Sequence, residues 1–222
     1  QTEYPEQVSL LHQVFYIHGV REFNKVLPSN SAFWVEFDRL ATEHVLGLST
    51  EIQVQTEFHK LDEVAFLKIA HCKVAPMIVP IAALACVSDQ EDVLEPIESS
   101  LKHAIVAGQL HDDIGDWCED VGNGHMTYFI TCIAPPEQWE NPKWPSTTEL
   151  QSYLSTNWID VDKLKEIIQW LDLALEPIQG MNCPAWDLYV SEYGQRAEES
   201  LKLAIGKHIQ ESLNPRTNSL SH

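Results

Sequence analysis

The stretch from Gln109 to Asp120, QLHDDIGDWCED, places Asp112, Asp113, Asp116, Glu119 and Asp120 on a few consecutive turns of a helix-forming segment. Like charges at i,i+4 cost a few tenths of a kcal/mol per pair, so the crowding calls for a positive partner. No Lys or Arg stands between Lys102 and Lys143 to supply one locally. At about 100° per residue, Gln109, Asp112, Asp113, Asp116, Glu119 and Asp120 fall within an arc of roughly 120°. Leu110, Ile114, Trp117 and Val121 take the adjoining arc. Carboxylates at i,i+3 and i,i+4 converge well enough for Mg²⁺, which takes hard oxygen donors in octahedral geometry and keeps waters or substrate phosphates in its other positions. A solvated charged face is the ordinary alternative, but such faces mix signs and this one does not.

Charge and composition agree with a cationic guest. The 222 residues carry 14 basic and 33 acidic side chains, a formal net charge of -19, which repels nucleic acid and anionic membrane surfaces. Divalent cations and metal-chelated ligands suit it. With 44% hydrophobic residues and seven Trp, the chain is globular and long enough to bury a core. Cys72, Cys86, Cys118, Cys132 and Cys183 are odd in number and lack CxxC spacing, which argues against a disulfide framework or a structural zinc site and points to a reducing, cytoplasmic location. No signal-peptide pattern opens the chain. The longest apolar run, Val74 to Val87, is too short and too interrupted by proline for a membrane span.

The elements that must hold the stripe read as helices throughout. Val8 to Leu27 spaces Leu11, Val14, Phe15, His18 and Phe23 helically, and Ser31 is a plausible N-cap for Phe33 to Leu48, ending near Gly47. Glu57 to Ala75 continues, kinked by Pro76 and Pro80, to Cys86. Val93 to Val121 carries the stripe and stops at Gly122-Asn123-Gly124. Ala134 to Ser146 is an ordered loop, STTE at Ser146 has the capping-box form, and Asp160 to Leu175 and Pro184 to Ile209 are amphipathic helices. The expectation is one all-α domain over residues 1–211 with a disordered tail, 212–222.

Gln109, Asp112, Asp116, Glu119 and Asp120, followed by Gly124, Thr127 and Tyr128, resemble the second aspartate-rich motif of class I isoprenoid synthases, in the squalene and phytoene synthase branch. Asp112-Asp113-Ile114-Gly115-Asp116 is also similar to the DDxxD of trans-prenyl diphosphate synthases, and Ala70 to Ala75, AHCKVA, to the lysine-bearing segment preceding that motif. The resemblance spans about Phe58 to Phe129. It implies a terpenoid-synthase-like helical bundle around an apolar cavity, with Mg²⁺ as cofactor and a prenyl diphosphate as substrate. The implied reaction ionises the diphosphate and then couples or cyclises the chain. Asp112 and Asp116 are the implied catalytic residues and first metal ligands, with Asp113, Glu119 and Asp120 completing the acidic set. Lys73, Gln109 and Tyr128 are the implied substrate contacts.

The family places a further acidic motif on a facing helix earlier in the chain, and none stands before Asp112; Asp38, Glu43, Asp62 and Glu63 are isolated. Gln1 to Leu48 therefore resembles the middle of such an enzyme, with the motif upstream of Gln1, on a separate chain, or nowhere; a homodimer or a partner chain is compatible with this. Two alternatives stand beside the synthase. One is a non-catalytic prenyl-binding or regulatory partner that kept one acidic helix. The other is an HD-type metal-dependent phosphohydrolase, similar through His111-Asp112 and Ile114-Gly115 but with Asp113 inserted and Asp116 in place of its lysine.

Overall fold

Recurrence of apolar side chains every three to four residues produces helix along most of the described residues. The computed structural model describes residues 17–56, 60–140 and 143–213 and, among them, contains no strand. The fold is all-α. In order the helices are α1 (17–26), α2 (Phe33–Thr56), α3 (Glu63–Cys72), α4 (Ala75–Ser88), α5 (Leu94–Asn123), α6 (Tyr128–Ile133), α7 (Thr147–Asn157), α8 (Ile159–Leu175) and α9 (Pro184–Leu213). The expected positions Leu11, Val14 and Phe15, the segment 57–59 and the tail from 214 lie outside the described residues.

The long helix α5 is the spine. It packs mainly on α8, which in turn packs on α9, while α2 packs on α3 and α4 and α3 reaches α5. Ala104, Val106, Ala107 and Leu110 of α5 join Phe66, Ile69 and Ala70 of α3 and Leu164, Ile167 and Leu171 of α8 in the largest core cluster. Trp117, from the apolar arc, anchors a second cluster with Phe129, Ile130, Leu150 and Leu154. The stripe-bearing helix is therefore held along its length by apolar burial. No single described helix is long and apolar enough to cross a membrane.

Three boundaries differ from the sequence reading. Helix α2 does not end near Gly47 but runs to Thr56. Gly47 marks a crossing: a Cβ there would lie 2.1 Å from Cys72 Cβ and 2.5 Å from Cys72 Sγ. Helices α3 and α4 are two helices bent by 46°, not one kinked helix. Pro76 lies in the first turn of α4, where its missing N–H is harmless. Proline also strips the carbonyl four residues earlier of its helical donor, and here His44 Nδ1 lies 3.1 Å from that oxygen, Cys72 O. Helix α9 continues to Leu213, past Ile209 and into the stretch read as tail.

Other local signals are realised. Ser146 Oγ accepts from Glu149 N while the Glu149 carboxylate accepts from Ser146 N at 2.9 Å, a complete capping box. The loop before it holds a short 3₁₀ turn, Pro136–Trp139, and Trp139 and Trp144 pack on the Trp117 cluster. All five cysteines are free thiols.

Candidate functional site

The C-terminal half of α5 faces a cavity of about 140 Å³. Asp112, Asp113, Asp116 and Asp120 line it together with Gln109, as does Lys73 at the end of α3. Its apolar floor comes from Val54, Leu61, Phe66, Ile69 and Met126. Of the expected acidic set only Glu119 stays out, exposed to solvent and absent from the lining. On the helical wheel it sits at the edge of the arc, about 20° beyond Asp112 and about 60° from Asp116, so it turns away from the cavity. Gly108 and Gly115 do not make the close approaches their size suggests: a Cβ at Gly108 would meet Tyr193 Oη at an ordinary 3.9 Å, and one at Gly115 would meet nothing within 4 Å.

Two helix ends aim groups into this space. Lys73 is the C-cap residue of α3, and its ammonium donates to Gln109 Oε1 at 2.6 Å and to Glu51 Oε1 at 2.8 Å. Gln109 Nε2 then donates to Asp113 Oδ1 at 2.9 Å. A relay thus runs from the cation through a neutral amide to a buried carboxylate. At the other end, α5 stops at Gly124 with φ of 70°, and His125 N bonds Asp120 O at 2.8 Å, the αL turn that glycine permits. That turn folds the His125 ring back until Nδ1 lies 3.9 Å from Asp120 Oδ1.

Glu51 and His125 are the lining residues that the sequence did not announce. Glu51 lies one turn beyond Gly47 on α2, so the Gly47–Cys72 crossing places it beside Lys73. It brings a carboxylate from a facing helix, the position for which no motif was found. Had α2 been extended through its glycine, the Gly47 to Glu51 spacing would have been a usable signal.

Electrostatics record the crowding. Burial pushes the Asp113 carboxyl up to about 6, with the Asp120 charge adding to it and the Gln109 amide, Lys73 and the Phe129 backbone opposing. Asp120 is also raised, first by burial, with His125 opposing and Asp116, Asp112 and Glu119 adding. A cation in the cavity would relieve both. Since the folded pKa of Asp113 lies above the ordinary carboxyl value of 3.8, the folded state holds the extra proton between the two values. Charged Asp113 therefore destabilises the fold above about pH 6, and that penalty fades as pH falls toward 4. In EDTA, Asp113→Asn should be more stable than wild type by up to about 3 kcal/mol at pH 8, two units at about 1.4 kcal/mol each, with the gap closing near pH 4. Denaturant melts across pH check this, and a pH-independent gap would remove Asp113 as the titrating group.

Tyr128 is buried, stacked on Phe66 with ring centroids 4.6 Å apart. It lines the cavity, but its hydroxyl accepts from Lys163 Nζ at 3.1 Å, and burial holds its pKa up at about 12. Its hydroxyl is engaged from outside the acidic set, so what it presents to the cavity is ring surface.

His111, on which the phosphohydrolase alternative turns, leaves the cavity. Its Nδ1 lies 3.2 Å from Tyr193 Oη on α9, and it is not among the lining residues. Among the described residues no three His, Cys, Asp or Glu side chains converge on one metal position. The donors on α5 are nevertheless all carboxylate oxygens, the chemistry a hard divalent cation takes, and Glu51 and Asp113 are within reach of the same space.

A second concavity is lined by none of the cavity's residues. A groove of about 410 Å³ is walled by Met77, Leu101, Ile105, Trp186, Tyr189 and Tyr193. Three of its lining residues stand four positions along the chain from residues of the cavity: Met77 from Lys73, Ile105 from Gln109 and Gly108 from Asp112. Four residues are about one helical turn, so Ile105 and Gly108 sit one turn from Gln109 and Asp112 on α5, while the groove and the cavity share no lining residue. Comparison of the chain with protein-family models, curated proteins and solved structures finds no match.

Proposed function

We propose that this chain is a class I isoprenoid-synthase-like protein that binds the diphosphate of a prenyl diphosphate through Mg²⁺ and ionises it. The observation that carries the reading is the cavity that brings four aspartates of one helix together with one ammonium, with an apolar groove starting one turn away on the same helix. A cavity of about 140 Å³ is below the few hundred Å³ of a typical ligand pocket but suits a compact polar head. The separate groove of about 410 Å³, mostly apolar with Arg196 in its lining, suits a hydrocarbon chain. Asp112, Asp116 and Asp120 are the metal-holding residues, with Asp113 and Glu51 behind them. Bound Mg²⁺ supplies charge neutralisation of the leaving diphosphate.

The chain's own groups divide the rest of the work. Lys73 donates to diphosphate oxygens as a compact charge, exchanging Glu51 and Gln109 for the ligand. Gln109 keeps Asp113 oriented through its amide. Trp186, Tyr189 and Tyr193 exclude water from the hydrocarbon and present π faces that attract a cation. Whether coupling or cyclisation follows depends on what shares the groove.

Diphosphate release from geranyl, farnesyl and geranylgeranyl diphosphates, with Mg²⁺ and with EDTA, tests the proposal. Mg²⁺-dependent release supports it. A second reading, prenyl diphosphate binding without turnover, is favoured by the single acidic stripe with no converged three-residue metal cluster among the described residues. Saturable binding with no release in Mg²⁺ would select that reading, and neither binding nor release would reject both.

A further inference from the structure

Helix α9 buries one histidine that takes no part in the acidic cavity. His208 is 2% exposed, and its Nε2 lies 2.7 Å from Asp160 Oδ1 in the first turn of α8. An ionised carboxylate only accepts, so Nε2 carries the proton and donates, and in the neutral ring Nδ1 is left as a lone pair. That Nδ1 is buried with no hydrogen-bond partner. The closest carboxylate oxygen recorded for it, Glu211 Oε2, is 3.9 Å away, too far for a hydrogen bond. A buried acceptor left without a partner bears its desolvation penalty uncompensated.

The ring is also fixed in orientation. Trp158 stacks on it at 4.9 Å between centroids and 15° between planes. Trp158 holds φ of 54° at the junction of α7 and α8, and that turn sets both the indole and, two residues on, Asp160. His208 and Glu211 both line a groove of about 780 Å³ between α5, α7 and the end of α9, whose walls include Trp117, Cys118, Ser155 and Thr156.

We propose that His208 Nδ1 and Glu211 form a second metal site, for a borderline divalent transition ion such as Zn²⁺, with water from the groove completing the coordination. The donor set selects the ion: one neutral imidazole nitrogen with one carboxylate suits zinc, whereas Mg²⁺ takes oxygen donors and belongs to the α5 cavity. Asp160 on the opposite nitrogen is the carboxylate that orients and strengthens a metal-binding histidine. Zinc bonds of about 2.0–2.2 Å to nitrogen and oxygen place two neighbouring donors about 3–3.5 Å apart. From 3.9 Å, Glu211, on the partly exposed last turns of α9, has to move by less than about one ångström.

The test is a calorimetric Zn²⁺ titration of the whole chain in excess Mg²⁺, which occupies the acidic cavity, together with the ¹⁵N chemical shift of His208. One equivalent of Zn²⁺ is expected to bind and to shift Nδ1 while Nε2 keeps its proton. Glu211→Gln, on a partly exposed side chain, should weaken binding by about tenfold or more, and Asp160→Asn by about 10–100-fold. His208→Gln should abolish it, and because that buried substitution can itself unfold α9, Glu211→Gln serves as the folded variant. No Zn²⁺ binding, or binding that leaves the His208 Nδ1 shift unmoved and is unchanged in Glu211→Gln, would overturn the site.

Discussion

Asp112→Asn and Asp116→Asn are each expected to lower Mg²⁺-dependent diphosphate release by about a hundredfold or more, the scale on which loss of one group stabilising a developing charge is felt. Both side chains are exposed and line the acidic cavity, so neither change opens a hole in the core. Folding should improve slightly. Asp116 has like charges four residues away on both sides, Asp112 and Asp120, whereas Asp112 has only Asp116. With each such pair costing about 0.2–0.5 kcal/mol, Asp116→Asn should be the more stabilised variant in EDTA. Glu119→Gln is the internal control, because Glu119 is exposed and outside the cavity lining; its turnover should stay within about twofold of wild type, in the range of surface substitutions. Steady-state release assays with thermal melts separate the outcomes. Full activity in both Asn variants would remove the metal assignment, and a loss in Glu119→Gln as large as theirs would mean that the catalytic arc extends beyond the cavity.

Gly47→Ala carries the largest expected effect on stability. On an open helix the change would be favourable by about 0.5–1 kcal/mol. Here the added carbon would stand 2.1 Å from Cys72 Cβ, which is not the far end of a flexible side chain, so α2 and α3 must separate. Overpacking of this kind costs about 1–3 kcal/mol, and more where two backbones must move. A net loss of about 2 kcal/mol lowers the melting temperature of a chain this size by about 4–8 °C. The consequence extends to the cavity, because the same crossing holds Glu51 2.8 Å from Lys73. Mg²⁺ and substrate affinity should therefore weaken along with stability, although position 47 is not among the residues lining the cavity. Cys72→Gly in the Gly47→Ala background should recover part of both losses by restoring the space. A Gly47→Ala variant as stable as wild type would mean that the helices do not cross this closely.

The two experiments probe different levels of one arrangement. The aspartates test what the stripe does once it is in place, and the glycine tests how α2 brings a facing carboxylate to it. The relay from Lys73 through Gln109 to Asp113 joins them, since Gln109 comes from α5 and Lys73 from α3, 36 positions apart. A variant that disturbs the crossing but spares the stripe should leave the Asp113 pH dependence partly intact, as burial is its largest cause.

What the sequence determined by itself was the angular order of side chains within a helix. The angular step per residue is fixed by backbone geometry, so the shared face of Gln109, Asp112, Asp113, Asp116 and Asp120 followed from their numbers alone. The αL stop at Gly124 and the capping box at Ser146 followed from local hydrogen bonding in the same way. Only the tertiary structure decided which part of that arc meets a neighbour. It left Glu119 in solvent, buried Asp113, turned His111 toward Tyr193, and added Glu51 and His125 to the lining. It also paired His208 with Asp160, 48 residues away. Such choices depend on where two helices cross and which side chains fit between them. Gly47 shows why sequence position is silent on this: the same residue type that ends one helix lets another pass through a close crossing, and the difference lies in the Cys72 side chain opposite it.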